Sequence, residues 1–206
     1  MENCADSIKV TRSLFQVREG GAVPTSAHNF ELSGNSREFE LSCISRQLAK
    51  ACYRQWHYLG DMGFISTHNF GVFLESKLLG CISYGSPNAT ELKGYFDRFS
   101  QKGWWEIKRL ALSDELPKNS ESKSIGISLR LLRKMETVKG VVTYADTKVG
   151  HVGTIYKASG FEYKGLTAPK KDFWVNGKIQ QRGKTKGVDG TWKTRSQKHL
   201  FIKQWI

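Results

Sequence analysis

Alternating helical and strand periodicities between Ser45 and Leu166 predict an α/β fold, a mixed central β-sheet with helices packed on it. Length and composition agree. The 206 residues, 39% hydrophobic and 25% charged, suffice for one domain with a sizeable core plus a small extension, and they exclude a fibrous or wholly disordered chain. Charge then divides the chain in three. Residues 1–44 carry 4 Lys/Arg against 6 Asp/Glu, residues 45–169 carry 18 against 11, and residues 170–206 carry 10 against 2. The expected organisation is an N-terminal arm (1–44), an α/β core (45–169) and a basic, aromatic C-terminal extension (170–206).

The first 40 residues mix Gly20-Gly21, Pro24, Ser and Asn with short apolar runs, which reads as loose strands or an arm. From Ser45 the pattern changes: Leu48, Cys52 and Trp56 recur every four residues, and Ser45 is placed to cap the helix that carries them. That helix ends near His57-Tyr58-Leu59-Gly60. Residues 70–85 set two apolar runs around a polar Glu75-Ser76-Lys77 turn, a β-hairpin. WWEIKRLAL (104–112) is a strand, with Ile107, Arg109 and Ala111 expected on one face and Lys108, Leu110 and Leu112 on the other. Ile125, Leu129, Leu132 and Met135 have helical spacing through about Glu136, with Gly140 as the stop. VVTYAD (141–146) is the next strand, a short helix spans about 153–159 before Gly160, and FEYKGL (161–166) is a strand. The strands on either side of the second helix imply one right-handed βαβ crossover.

A formal charge of +13 points to a polyanionic partner. The extension interleaves Lys170, Lys171, Arg182, Lys184, Lys186, Lys193, Arg195, Lys198 and Lys203 with Phe173, Trp174, Trp192, Phe201 and Trp205. Cations neutralise phosphates and release counterions, while rings stack on unpaired bases, so the pattern suits nucleic acid. The plainer reading is a solvated hairpin whose aromatics pack on the core. Cys4, Cys43, Cys52 and Cys81 form no C-x-x-C pair, which predicts reduced, mostly buried thiols rather than disulfides or a zinc site. No stretch approaches the roughly 18 apolar residues that cross a bilayer, and the first 20 residues lack a charged head with an apolar block. A soluble, non-secreted protein without a membrane partner is expected.

In YADTKVGHVGTIYKASGF (144–161), a strand ends in an acid, a helix carries Tyr156, and Gly160-Phe161 leads into another strand. In this order the chain resembles the GCN5-related N-acetyltransferase (GNAT) superfamily over roughly 45–169. Together with HYLG (57–60), EIKRLAL (106–112) and NSESKSIG (119–126), the same run resembles the Mom family of phage DNA-modification proteins. That resemblance implies conversion of adenine to N6-carbamoylmethyladenine in double-stranded DNA, in the host cytoplasm, shielding phage DNA from restriction. It implies acyl-coenzyme A or another acyl donor. It also raises iron as a cofactor, with His57, Tyr58 and Asp146 as ligands, although no spacing here shows a metal motif and His151 is an equal candidate. One departure concerns the donor. The superfamily's glycine-rich pyrophosphate loop is absent, leaving the helix-start N–H groups with Ser122, Lys123, Ser124 and Gly126 as the anion cradle. The plainer reading is that Ser122 or Ser124 only caps the helix.

Five residues are the candidates for chemistry. Tyr156 lies one turn into its helix, where the superfamily resemblance implies a phenol that protonates a leaving group. Asp146, at the C-terminal end of a strand, faces the crevice where such folds bind ligands; alternatively it is a turn or cap aspartate. His57 and Tyr58 join the constellation if the first helix borders that crevice, and a histidine there otherwise serves as a helix cap. Arg109, among apolar neighbours, must pair with a carboxylate such as Glu106 or Asp146, or bind an anion. Adenine N6 is unreachable inside a stacked duplex, so the base must be everted. Two rivals stand beside this reading: an ordinary GNAT N-acetyltransferase acting on a protein or small amine, and a non-catalytic DNA-binding module.

Overall fold

The computed structural model describes residues 33–35, 38–87, 102–180, 185 and 187–205. Most of the expected N-terminal arm, together with Arg182, Lys184 and Lys186, lies outside the described residues. β1 (Ser33–Asn35) and β2 (Glu40–Cys43) lead into α1 (Arg46–Trp56). The Ser45 hydroxyl caps α1 by accepting from the Leu48 N–H at 3.2 Å. Its buried stripe of Ala49, Cys52 and Tyr53 packs on Ile44, Phe64, Phe73, Leu78, Cys81 and Ala111. β3 (His68–Leu74) and β4 (Lys77–Gly85) form the expected hairpin. Its two-residue turn, Glu75-Ser76, has φ of 48° and 67°, the positive values a tight hairpin turn requires.

β5 (Trp104–Leu112), α2 (Ser120–Met135) and β6 (Gly140–Asp146) make the crossover, and β5 and β6 run parallel. α3 (Thr154–Ala158) and β7 (Glu162–Leu166) follow. The basic extension then divides. β8 (Lys170–Val175), β9 (Lys178–Ile179) and β10 (Thr191–Arg195) form a separate three-stranded sheet in the order β10-β8-β9. β11 (Lys198–Gln204) returns to the main sheet, whose order is β1-β2-β3-β4-β5-β6-β11-β7. α1 covers one face of that sheet, while α2 packs on the other over Phe70, Val72, Ile82, Tyr84, Ile107, Val141 and Phe201.

Two local expectations are corrected. The register between β4 and β5 slips at Ser83/Tyr84, because Ser83 pairs with Arg109 and Tyr84 with Ile107. A β-bulge at Lys108 therefore breaks the simple alternation. Ile107 joins Leu110 and Leu112 in the α2-side core, while Ala111 faces α1. The second correction is Gly140. α2 already ends at Met135, and Gly140 opens β6. A Cβ there would meet Trp104 ring carbons at 2.5–2.8 Å, so it is glycine because the indole lies flat on its backbone.

Gly153, just before α3, combines φ +74° with the Phe201 ring against its Cα, leaving no room for a side chain. Gly153→Ala should destabilise the fold by about 2 kcal/mol or more, through left-handed strain plus overpacking. Urea unfolding of both proteins measures this, and a change below about 0.5 kcal/mol would contradict the packing described.

Candidate active site

The site is where two parallel strands part. β5 and β6 pair only through Trp104↔Gly140, Trp105↔Val141 and Glu106↔Val142. Beyond that, β5 stays with β4 to Leu112 and β6 stays with β11 to Asp146, so the C-terminal halves diverge. The divergence opens a gap in the middle of the sheet. The bulge is held in place beside it: the Tyr53 hydroxyl lies 2.7 Å from Ser83 Oγ and 3.0 Å from the Arg109 carbonyl oxygen, and Ser83 donates to Asn69 Oδ1 at 2.7 Å.

On the α1 face, residues 57–63 lie against β5. Arg109 holds this loop down, its guanidinium donating to the Gly60 carbonyl and, at 2.5 Å, to the Met62 carbonyl. The expected carboxylate partner is thus replaced by loop backbone, and Glu106 pairs instead with Lys108 at 2.9 Å. The cation also lies over the Tyr53 and Phe64 rings, at 5.8 and 5.6 Å. With the loop pinned, His57 stacks on Tyr58 at 4.6 Å between centroids, and Tyr58 meets His151 edge-on at 6.0 Å.

His57 does occupy the C-cap position, and its Nδ1 accepts the Leu59 N–H at 3.1 Å. Burial, then the Arg109 and His151 charges, lower its pKa from 6.5 to about 4. The ring is therefore neutral near pH 7, and because Nδ1 accepts, its hydrogen sits on Nε2. The Tyr58 hydroxyl is raised by partial burial and by the nearby Asp146 carboxylate, with Arg109 acting in the opposite sense.

Asp146 shows the turn role as well as the site position. Its Oδ1 accepts the Lys148 N–H at 2.9 Å and the Ser196 hydroxyl at 2.8 Å. Oδ2 takes part in neither bond. Tyr156 comes from the opposite face. Its ring packs at 5.5 Å from Phe201 and 6.0 Å from Phe161. Burial raises the phenol's pKa, the neighbouring buried Thr143 hydroxyl offsets part of this, and Tyr58 adds to it. Asp146 and Tyr156 thus approach from opposite faces of the sheet, yet each is close enough to Tyr58 to shift or be shifted by it.

The start of α2 differs from the expected anion cradle. Asn119, at the cap position, is left-handed and supplies no side-chain cap. Ser122 donates to the Asn119 carbonyl, Lys123 is ion-paired to Glu38, Ser124 is fully buried, and Gly126 lies within the helix. Neither Ser122 nor Ser124 caps α2. A cavity of about 310 Å³ there is lined by Asp114 and Glu121 as well as Lys118, and the 113–119 loop has no glycine. This does not fit a diphosphate held as in a glycine-rich loop. Iron fits no better. His57 Nδ1 and Asp146 Oδ1 are both occupied by local hydrogen bonds, the His57 hydrogen occupies Nε2, and among the described residues no group of three or more His, Cys, Asp and Glu is arranged for a metal.

The extension's residues divide between packing and surface. Phe201 is fully buried, Phe173 is buried beside Trp192, and Lys203 donates to the Ser159 carbonyl at 2.6 Å. Trp192 is 57% exposed on β10, all of whose residues are exposed, and Lys193 lies 5.0 Å over the Trp174 ring. Of the other extension cations, Lys171 is exposed on β8, while Lys170, Arg195 and Lys198 line one cavity. The polar lining shared by Ser196 and Lys198 beside Asp146 was missed by sequence reading, since nothing local indicates that residues 196–198 return to β6. Cys52 and Cys81 are buried and Cys43 half-buried, all three free thiols, and no helix among the described residues is long and apolar enough to cross a membrane.

The fold is that of GNAT acetyltransferases of known structure. The ribosomal-protein-S5-alanine acetyltransferase of Vibrio fischeri superposes with a TM-score of 0.50 at 12% identity, over 84% of this chain and 97% of that one. A GNAT family acetyltransferase from Elizabethkingia anophelis, solved with acetyl-CoA bound, gives 0.51 at 13% identity, over 82% and 100%. The chain belongs to the Mom protein family, which matches residues 38–204. It is 30% identical over 132 residues to the methylcarbamoylase Mom of Escherichia phage Mu; the matched stretch is 63% of this chain and spans about half, 55%, of that relative.

The His57 shift makes a pH prediction. A lowered folded-state pKa means the unfolded chain takes up the proton first, so this stability is present above pH 6.5 and lost as pH falls toward about 4. In thermal melts across that window, His57→Asn should lose less stability than the parent; parallel curves would refute the assignment.

Proposed function

We propose that this protein is a DNA-modifying transferase that converts adenine to N6-carbamoylmethyladenine in double-stranded DNA. The observation that carries the proposal is the parting of β5 from β6 beyond Glu106, with Asp146 at the end of β6 bonded to Ser196 on the wall of a cavity lined by Lys170, Arg195 and Lys198. Membership in the Mom family and the likeness to the phage Mu methylcarbamoylase supply the reaction class. In vivo the product would shield phage DNA from host restriction.

Adenine N6 is a weak nucleophile because its lone pair is delocalised into the ring, and the duplex hides it. The base is everted into the gap from the α1 face, at a cost of a few kcal/mol offset by phosphate and stacking contacts. The Tyr58 ring, 54% exposed and backed by His57, is the platform on which the purine stacks. The donor enters from the Tyr156 face. It is an activated donor of the carbamoylmethyl group, with its leaving group on the methylene carbon. Plain acyl transfer would leave an amide, whereas this product is joined through a methylene. The transfer forms the N6–CH2 bond, breaks the bond from that methylene to the leaving group, and releases one N6 proton. Asp146 Oδ2 accepts the proton. Tyr156, kept protonated by burial, donates to the departing group. Arg109 keeps the 57–63 loop in place so that Tyr58 stays in register with both.

Mass spectrometry of nucleosides from DNA of expressing cells should show an adenosine heavier by one acetamide-sized group. Asp146→Ala should abolish it, and Tyr156→Phe, which keeps the ring packing on Phe201, should lower the rate of its formation about 100-fold or more. DNA without the heavier nucleoside in the parent, or an undiminished rate in both variants, would refute the proposal.

A further inference from the structure

The extension places three cations around one small cavity on the Asp146 face of the sheet. Glu106, Tyr144, Thr167, Lys170, Arg195 and Lys198 are among its lining residues, with Ser196 between it and Asp146, and its volume is about 140 Å³. The strand registers explain the convergence. Lys198 pairs with Asp146 across β11 and β6, so the two side chains share a face. Lys170 and Arg195 are directly opposite across β8 and β10. The next pair of the same alternation is Asp172 opposite Lys193. The lining's carboxylate, Glu106, is paired with Lys108. Arg195 and Lys198 have no carboxylate partner among the described residues. Two cations at one cavity without a carboxylate partner are placed to hold an anion by charge-assisted hydrogen bonds.

The geometry points to a phosphodiester subsite in this cavity, in which Arg195, Lys198 and Lys170 hold one backbone phosphate of the DNA strand that carries the everted base. This deepens the function proposed above and rests on it. The subsite adjoins the reacting residues. Ser196, on its wall, donates its hydroxyl to Asp146 Oδ1 at 2.8 Å, and the Lys198 N–H is fixed on Thr167 Oγ1 at 3.0 Å. A phosphate seated there fixes the register of the strand relative to Asp146, a positioning task distinct from general attraction by the exposed lysines.

The test uses the full chain and a short duplex oligonucleotide, with affinity measured by fluorescence anisotropy over a series of salt concentrations. The parent should bind with a steep salt dependence. Arg195→Gln and Lys198→Met should each weaken binding, lower the magnitude of the slope of log K against log salt by about one, and leave the melting temperature unchanged. A second arm places single neutral methylphosphonates along the duplex. One position should weaken parent binding and have little further effect in Arg195→Gln. If the parent binds but both variants keep its slope and no methylphosphonate position loses its effect, the subsite is wrong and the proposed function stands. If the parent does not bind duplex DNA, both fall.

Discussion

The structure depends on two strands that start together and do not stay together. β5 and β6 are each zipped along their outer edges, to β4 and β11, but share only three residue pairs with one another. A sheet normally satisfies the backbone N–H and C=O groups of neighbouring strands along their length, and a split in its centre is maintained only if something else resists closure. The bulge at Lys108 does this. It pulls β5 toward β4 and is locked by the Tyr53 hydroxyl on the Arg109 carbonyl and by Ser83 on Asn69. Tyr53, Ser83 and Asn69 are fully or nearly fully buried, so losing one partner would leave a polar atom unsatisfied in the core.

From that split follows the arrangement of chemistry on two faces. Arg109 projects from the bulge toward α1 and clamps the 57–63 loop, which carries Tyr58. Tyr156 is delivered from the other side by α3, whose entry is fixed by Gly153 against Phe201. In the proposed function, donor and acceptor approach from opposite faces of the sheet, which lowers the entropic cost of their reaction without either displacing the other.

Much of this was legible in the sequence because it is periodic or local. The Leu48, Cys52, Trp56 spacing gave α1, the apolar runs around Glu75-Ser76 gave the hairpin, and His57 and Tyr58 follow α1 where their motif suggests. What was not legible depends on register and long-range pairing. Alternation cannot reveal a bulge, so Ile107 and Arg109 were assigned to one face. No pattern near Arg109 names the Gly60 and Met62 carbonyls, which lie 49 and 47 residues earlier. The extension looked like a single charged segment, yet β11 is a core strand and its Phe201 is fully buried. The helix-start serines suggested a cap or an anion cradle, but the left-handed turn at Asn119 directs them elsewhere.

The way the extension is built in bears on how a large substrate is positioned. The three-stranded sheet of β8, β9 and β10 is inserted between β7 and β11, so both of its ends are tied to adjacent strands of the core. The second tie is short: Ser196 and Gln197 connect β10 to β11, and Ser196, Gln197 and Lys198 are bonded to Asp146, Thr147 and Thr167. A surface attached through a flexible linker would raise local concentration without setting orientation. Attached in this way, the cationic hairpin holds whatever it binds at a set distance from Asp146. A displacement of about 1 Å in the bound strand is enough to lower a rate by around 100-fold, so that rigidity is as much a part of the site as the groups facing the gap.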